Sequence, residues 1–192
     1  MIRIAVVGDI GSGKSHAAKQ FGYPVFDADN EVVELYKKNK SCFRKLKRTF
    51  PKYIFSFPVK KIEILNVISS IPGSLKKINN IVHPKIKLKM NTFIKKNINK
   101  KIVILDIPLL LENKINKKND ILVFIKGSNK KSLVRLKKRA NFNIKIYRKL
   151  KHLQLPLEIK KKRSNFIINN NFNNKSLRKN VKKLLGKILS NA

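Results

Sequence analysis

The nine residues GDIGSGKSH, Gly8 to His16, follow directly on the apolar run IRIAVV. Gly8-Asp9-Ile10-Gly11-Ser12-Gly13-Lys14-Ser15 fits G-x-x-x-x-G-K-[ST]. Each residue type has a job in that pattern. Glycines let successive backbone N–H groups turn inward around an anion. The helix that follows adds the partial positive charge of its N-terminus. Lys14 reaches β- and γ-phosphates, and the Ser15 hydroxyl is a magnesium ligand. Residue frequencies put a chance match anywhere in the chain at roughly 0.3–0.4%. The segment from Gly8 to His16 is therefore expected to hold a nucleoside triphosphate by its phosphates.

A phosphate loop leaves the destination of the phosphate open. A GTPase needs an N-K-x-D motif; NKKND at 116–120 is misaligned by one residue. Thr49 and Thr92 are the only threonines, and there is no D-x-x-G turn. A motor ATPase needs more than 192 residues, so a small phosphotransferase fits best. Asp27-Ala28-Asp29 closes a second short apolar stretch. In a parallel sheet, strand C-termini face the ligand crevice. A carboxylate there accepts a proton from an attacking hydroxyl or holds Mg²⁺ through water. Asp29 also suits the N-cap of the helix that follows.

These groups must be positioned by the elements around them. Ile2–Val7, Tyr23–Asp27, Ile102–Leu105, 120–127 and 166–168 read as short buried strands. Helices are expected over 30–38, 42–50, 59–70, 74–82, 83–97, 130–140, 156–163 and 175–191, with 141–155 polar and aperiodic. Strands alternating with helices imply an α/β fold with a parallel sheet covered on both faces. The expected organisation is one domain. Its P-loop core spans 1–29, 101–139 and 156–192, with a helical acceptor-binding insertion at 30–100 and a small mobile lid at 139–155.

Forty-six Lys and Arg against ten Asp and Glu give a net charge of +36. Lys, Ile and Asn together supply 85 of 192 residues, and all three have A/T-rich codons. The basic residues are also spread along the whole chain, whereas a nucleic-acid arm would concentrate them. No specific nucleic-acid partner is expected. Cys42 is the only cysteine, which excludes a disulfide framework. No signal peptide is read at the N-terminus, and no run approaches a membrane span. A cytoplasmic location is expected.

The P-loop with DAD, then His83-Pro84, DIPLLLEN (106–113) and QLPLEIKKKRSNFIINN (154–170) together resemble the dephospho-CoA kinase family. The resemblance runs from about residue 1 to 190. It implies γ-phosphoryl transfer from ATP, with Mg²⁺, to the ribose 3′-hydroxyl of dephospho-CoA. Asp29 matches the general base, Lys14 the phosphate lysine and Arg139 a lid arginine over the ATP phosphates. Ser15 and Asp106 match magnesium positions, and Asn169 and Asn170 lie near the adenine side. The same resemblance implies Asp29, His83, Pro108 and Leu109 for the acceptor, with His83-Pro84 opening a helix. The family usually has Gly at Asp9, Thr at His16 and Asp at Ala140. Two alternatives share the loop: another small-molecule or nucleotide kinase, and a basic nucleotide-dependent nucleic-acid binder.

Overall fold

The computed structural model describes residues 1–138 and 142–190, so Arg139 lies outside the described residues. Five strands, β1 (Ile2–Gly8), β2 (Val25–Asp27), β3 (Ile102–Asp106), β4 (Ile121–Gly127) and β5 (Phe166–Asn170), form one sheet in the order β2-β3-β1-β4-β5. Every pairing is parallel. The chain builds the β3 side of β1 and then crosses to the β4 side, so β1 marks the switch point. The register sets Asp27 opposite Asp106 and Gly8 opposite Ile125. Gly8, Asp27 and Asp106 thus reach one edge of the sheet together.

Successive side chains of a strand point to opposite faces, and both faces of this sheet are buried. Ile4 and Val6 pack with Ala17 and Ala18 of α1 (Lys14–Gln20). The same face takes Leu177, Val181, Leu184 and Ile188 of α9 (Asn174–Ser190), a four-three-four spacing that makes one helical stripe. Ala5 and Val7 face the other way, into a core shared with α2 (Ala28–Lys38), α3 (Lys40–Thr49), α4 (Lys61–Ser70) and α5 (Ser74–Lys96). The remaining helices are α6 (Asn129–Lys137), α7 (Ile144–His152) and α8 (Leu157–Lys162). Among the described residues no helix is long and apolar enough to cross a membrane.

Three local expectations need correction. His83-Pro84 does not open a helix: Pro84 lies inside the single 23-residue helix α5. A helix-interior proline costs about 3 kcal/mol through its missing N–H. Ile78, Val82, Ile86 and Met90 are all buried on one stripe that runs past Pro84, and each contributes about 1.5–3 kcal/mol on burial. The stripe outweighs the proline. Secondly, α7 occupies much of the stretch read as aperiodic. Asn143 caps it, its Oδ1 accepting the N–H groups of Lys145 (2.9 Å) and Ile146 (3.2 Å). Ile146 alone is buried in that helix, too few apolar positions for a visible period. Thirdly, Asp29 is not the N-cap of α2. Asp27 is, its Oδ1 accepting Asn30 N–H at 3.0 Å, so the helix begins two residues earlier than expected.

One buried carboxylate organises the helical segment. Glu63, 2% exposed, accepts backbone N–H groups from Phe55 (3.3 Å), Ser56 (3.1 Å) and Lys60 (3.1 Å). It pins the loop before α4 to that helix. Burial works to raise its pKa, and the hydrogen bonds outweigh burial and hold it below the ordinary value. A carboxylate lowered by folding stabilises the fold fully above its unfolded value and loses that contribution as pH falls towards the folded one. Glu63→Gln is expected to cost about 2 kcal/mol at neutral pH. Urea unfolding should show this deficit shrinking steadily in acid.

Candidate active site

The phosphate loop leaves β1 at Gly8 and enters α1 at Gly13. Two of its glycines have no steric alternative. A Cβ on Gly8 would stand 2.6 Å from the Ile125 carbonyl oxygen. Gly13 is the N-cap of α1 with φ 88°, a left-handed conformation, and a Cβ there would collide with Asn170 Nδ2. That amide nitrogen donates to Ser12 O at 2.8 Å, and Asn170 Oδ1 accepts Phe172 N–H at 3.0 Å. The end of β5 therefore clamps the loop.

A cavity of about 560 Å³ opens beside the loop. Lys14, Ser15, Asp29 and Asp106 all line it, as do Gly8, Ile10, Gly11, Gly13 and His16. These residues come from the loop between β1 and α1, the first turn of α1, the first turn of α2 and the end of β3. Asp27 is taken up by capping, and Asp29 is the carboxylate that reaches the cavity. Pro108, Leu109 and Glu112, from the turn after β3, line another wall. Leu109 adopts φ 54° in that turn. His83 is exposed on α5 and does not line this cavity.

Burial dominates the charges here. It pushes the Lys14 ammonium below the ordinary lysine value; the Asp106 carboxylate pulls it back up, and Lys160 adds to the lowering. Burial pushes the Asp106 carboxyl up, against the Ser15 hydrogen bond and the Lys14 charge that pull it down. Lys14 Nζ donates to Asp9 O at 2.7 Å.

Asp9, which the sequence leaves without a role, ties the C-terminal end of α7 to the loop. Lys151 Nζ lies 2.5 and 2.6 Å from its two carboxylate oxygens. Oδ1 also accepts Ile10 N–H at 2.7 Å. The carboxylate is engaged by a lysine of α7, so its negative charge beside the phosphate loop is compensated.

Some site residues were not singled out from the sequence, and one pair was not resolved: of Asn169 and Asn170, Asn170 packs against the loop and Asn169 is exposed. Strand alternation could have separated the two had the end of β5 been known. Arg135 of α6 stacks over the Phe172 ring at 4.9 Å. Both line a second cavity of about 430 Å³ with Lys130, Lys131, Val134 and Asn171. Lys160 sits in a KKKR run that reads as a solvated face, yet it is 3% exposed and lines the main cavity. Gln154 lines that cavity too, with Oε1 buried and unpaired among the described residues.

Asp9→Ala should release α7. An ion pair of this kind is worth up to about 1 kcal/mol, so amides of Ile144–His152 are expected to exchange roughly fivefold faster, with β4 unchanged. Hydrogen-exchange mass spectrometry checks it.

Residues 2–176 match the family model for dephospho-CoA kinase. The chain is 32% identical over 193 residues to the dephospho-CoA kinase of Bartonella quintana, covering 98% of each chain. It is 34% identical over 188 residues to that of Rickettsia typhi, covering 96% of each. A solved structure of the protein TT1252 from Thermus thermophilus superposes with a TM-score of 0.77 at 26% identity, over 97% of each chain. The dephospho-CoA kinase of Campylobacter jejuni shares the fold, with a TM-score of 0.62 at 22% identity over 97% of this chain and 96% of that one. With a phosphate loop, three carboxylates and two lysines gathered in one cavity, and with this match along nearly its whole length, the chain belongs to the dephospho-CoA kinase family, phosphotransferases that convert dephospho-CoA to coenzyme A with ATP.

Proposed function

We propose that this chain carries the γ-phosphoryl group of ATP to the 3′-hydroxyl of the dephospho-CoA ribose, with Asp29 as the base. The observation that carries this is the single cavity lined by Lys14, Ser15, Asp29 and Asp106. The acceptor hydroxyl oxygen bonds to the γ-phosphorus. The bond from that phosphorus to the β–γ bridging oxygen breaks, and its electron pair leaves with ADP. The hydroxyl proton passes to the Asp29 carboxylate. Loop amides and the start of α1 hold the β-phosphate end. Lys14 exchanges the Asp9 carbonyl for phosphate oxygens and offsets the charge that develops there. Such catalysis is mostly positioning and charge stabilisation.

Mg²⁺ fits the donors present. Ser15 and Asp106 offer a hydroxyl and a carboxylate that already interact, and the ion usually takes one or two carboxylates along with substrate phosphates. Bound there, it would neutralise phosphate charge. The adenine ring has a flat platform in the second cavity, at the Arg135–Phe172 pair. Residues 139–155 serve as the lid. Asp9 and Lys151 hold its helix over the loop, and Arg139 is assigned to the phosphates by its place in the family's pattern. Closure excludes water, which would otherwise receive the phosphoryl group. The helical segment 30–100 covers the acceptor. A cytoplasmic site of action suits a chain whose single cysteine, Cys42, is buried and unpaired.

The test is ADP release with ATP, Mg²⁺ and dephospho-CoA, followed by mass spectrometry of the acceptor. The acceptor is expected to gain one phosphoryl group on the ribose. Asp29→Asn is expected to lower kcat by about 10²–10⁴-fold while nucleotide affinity stays within a factor of about three. An unmodified acceptor, or full turnover by Asp29→Asn, overturns the assignment.

A further inference from the structure

Lysines are almost never fully buried unless paired. Lys160, on α8, is 3% exposed, while Lys162 and Arg163 beside it are exposed. Its Nζ lies 2.7 Å from Glu112 Oε1, and the two side chains are 4% and 10% exposed. The same carboxylate oxygen accepts Leu155 N–H at 3.0 Å. Glu112 thus ties the approach to α8 and α8 itself to the turn that follows Asp106. Both members of the pair line the main cavity beside Lys14.

A structural strut would not need to stand there. An ammonium has three donors, and a carboxylate oxygen shared with a backbone N–H uses few of them. Lys160 therefore keeps donors for an anion while Glu112 fixes its position. A cation held this way needs no reorganisation when negative charge arrives, which is the arrangement that gives large electrostatic effects. Lys14 marks the β/γ end of a triphosphate. The Lys160 charge is felt at Lys14, where it adds to the lowering that burial begins.

We propose that Lys160 is a second phosphate-binding lysine of this site, that its ammonium contacts the γ-phosphate of the bound triphosphate, and that Glu112 is its positioning residue. Lys14 and Lys160 then share the transferable group from two different elements, one from α1 and one from α8. The inference rests on the family reading only in taking ATP as the nucleotide. Binding alone can test it, without reference to the acceptor.

Isothermal calorimetry with ADP and with the β,γ-imido analogue of ATP measures what the γ-phosphate contributes. Lys160→Met is expected to weaken the triphosphate analogue about tenfold or more, with ADP held within about twofold. Lys160→Arg should retain part of the preference. Lys160→Met alone leaves Glu112 buried without its counter-charge, which destabilises the fold in its own right. The variant Glu112→Gln/Lys160→Met removes both charges and keeps an acceptor for Leu155 N–H. It is expected to recover thermal stability and still lack the triphosphate preference. If ADP and the analogue weaken alike, or if the doubly neutral variant regains triphosphate affinity together with stability, Lys160 is only a strut and the proposal falls. Phosphorylation of dephospho-CoA by the unmodified chain is scored separately. Its failure, with the calorimetric pattern intact, overturns the acceptor reading and leaves the lysine assignment standing.

Discussion

One side-chain amide holds the phosphate loop to the sheet: Asn170 Nδ2 on Ser12 O, at 2.8 Å. The loop can turn its N–H groups inward only if its outer side is supported. The end of β4 supplies one wall, through the Ile125 carbonyl and Gly127, where a Cβ would stand 3.0 Å from Ser12 Cα. The end of β5 supplies the other, through Asn170. The pairing Gly127↔Asn170 brings both walls to one level. The shape of an N-terminal loop is thus decided by strands more than a hundred residues later. The same contact makes Gly13 obligatory, because the amide occupies the space of its Cβ.

The site is built from charges that folding has taken out of water. Burial lowers the pKa of Lys14 and raises that of Asp106. Both directions mean that the charged forms are less comfortable in the fold than in the unfolded chain. A carboxyl raised by folding contributes its stability below its unfolded value and loses it as pH rises through the folded one. At neutral pH Asp106 works against the fold. Such strain is common at functional sites, where perturbed groups gather. It is relieved when opposite charge arrives, as a phosphate does for Lys14. Asp9 offsets part of it, its carbonyl receiving Lys14 and its carboxylate receiving Lys151.

The overall charge of +36 obscures this arrangement. Ten acids are scattered through 192 residues, yet Asp29, Asp106 and Glu112 line one cavity. In so basic a chain the informative residues are the acids. The sequence exposes them because they are few. It hides the functional lysines because they are many: Lys14 is legible from its glycines, while Lys160 and Lys151 sit among dozens of chemically identical neighbours.

By itself the sequence determined the elements whose signal is local. A strand followed by G-x-x-x-x-G-K-S, apolar strands alternating with helices, and acids at strand ends depend on neighbours a few residues away. That local information carried the α/β fold, the phosphate loop and an acid at the end of two strands, Asp106 and one of Asp27 and Asp29; the family resemblance singled out Asp29. Elements with weak periodicity were not legible: Ile146 alone cannot announce α7, and Pro84 reads as a boundary until the stripe around it is seen to be buried. Only the tertiary structure decided which of two aspartates caps α2, which asparagine clamps the loop and which lysines leave solvent. Those choices depend on strand register and on packing between segments far apart in the chain. Lys151 and Asp9 are 142 residues apart, and no pattern along the sequence encodes their meeting. The loop chemistry is written in consecutive residues, whereas the partners that position it are brought together only by the burial of both faces of the sheet.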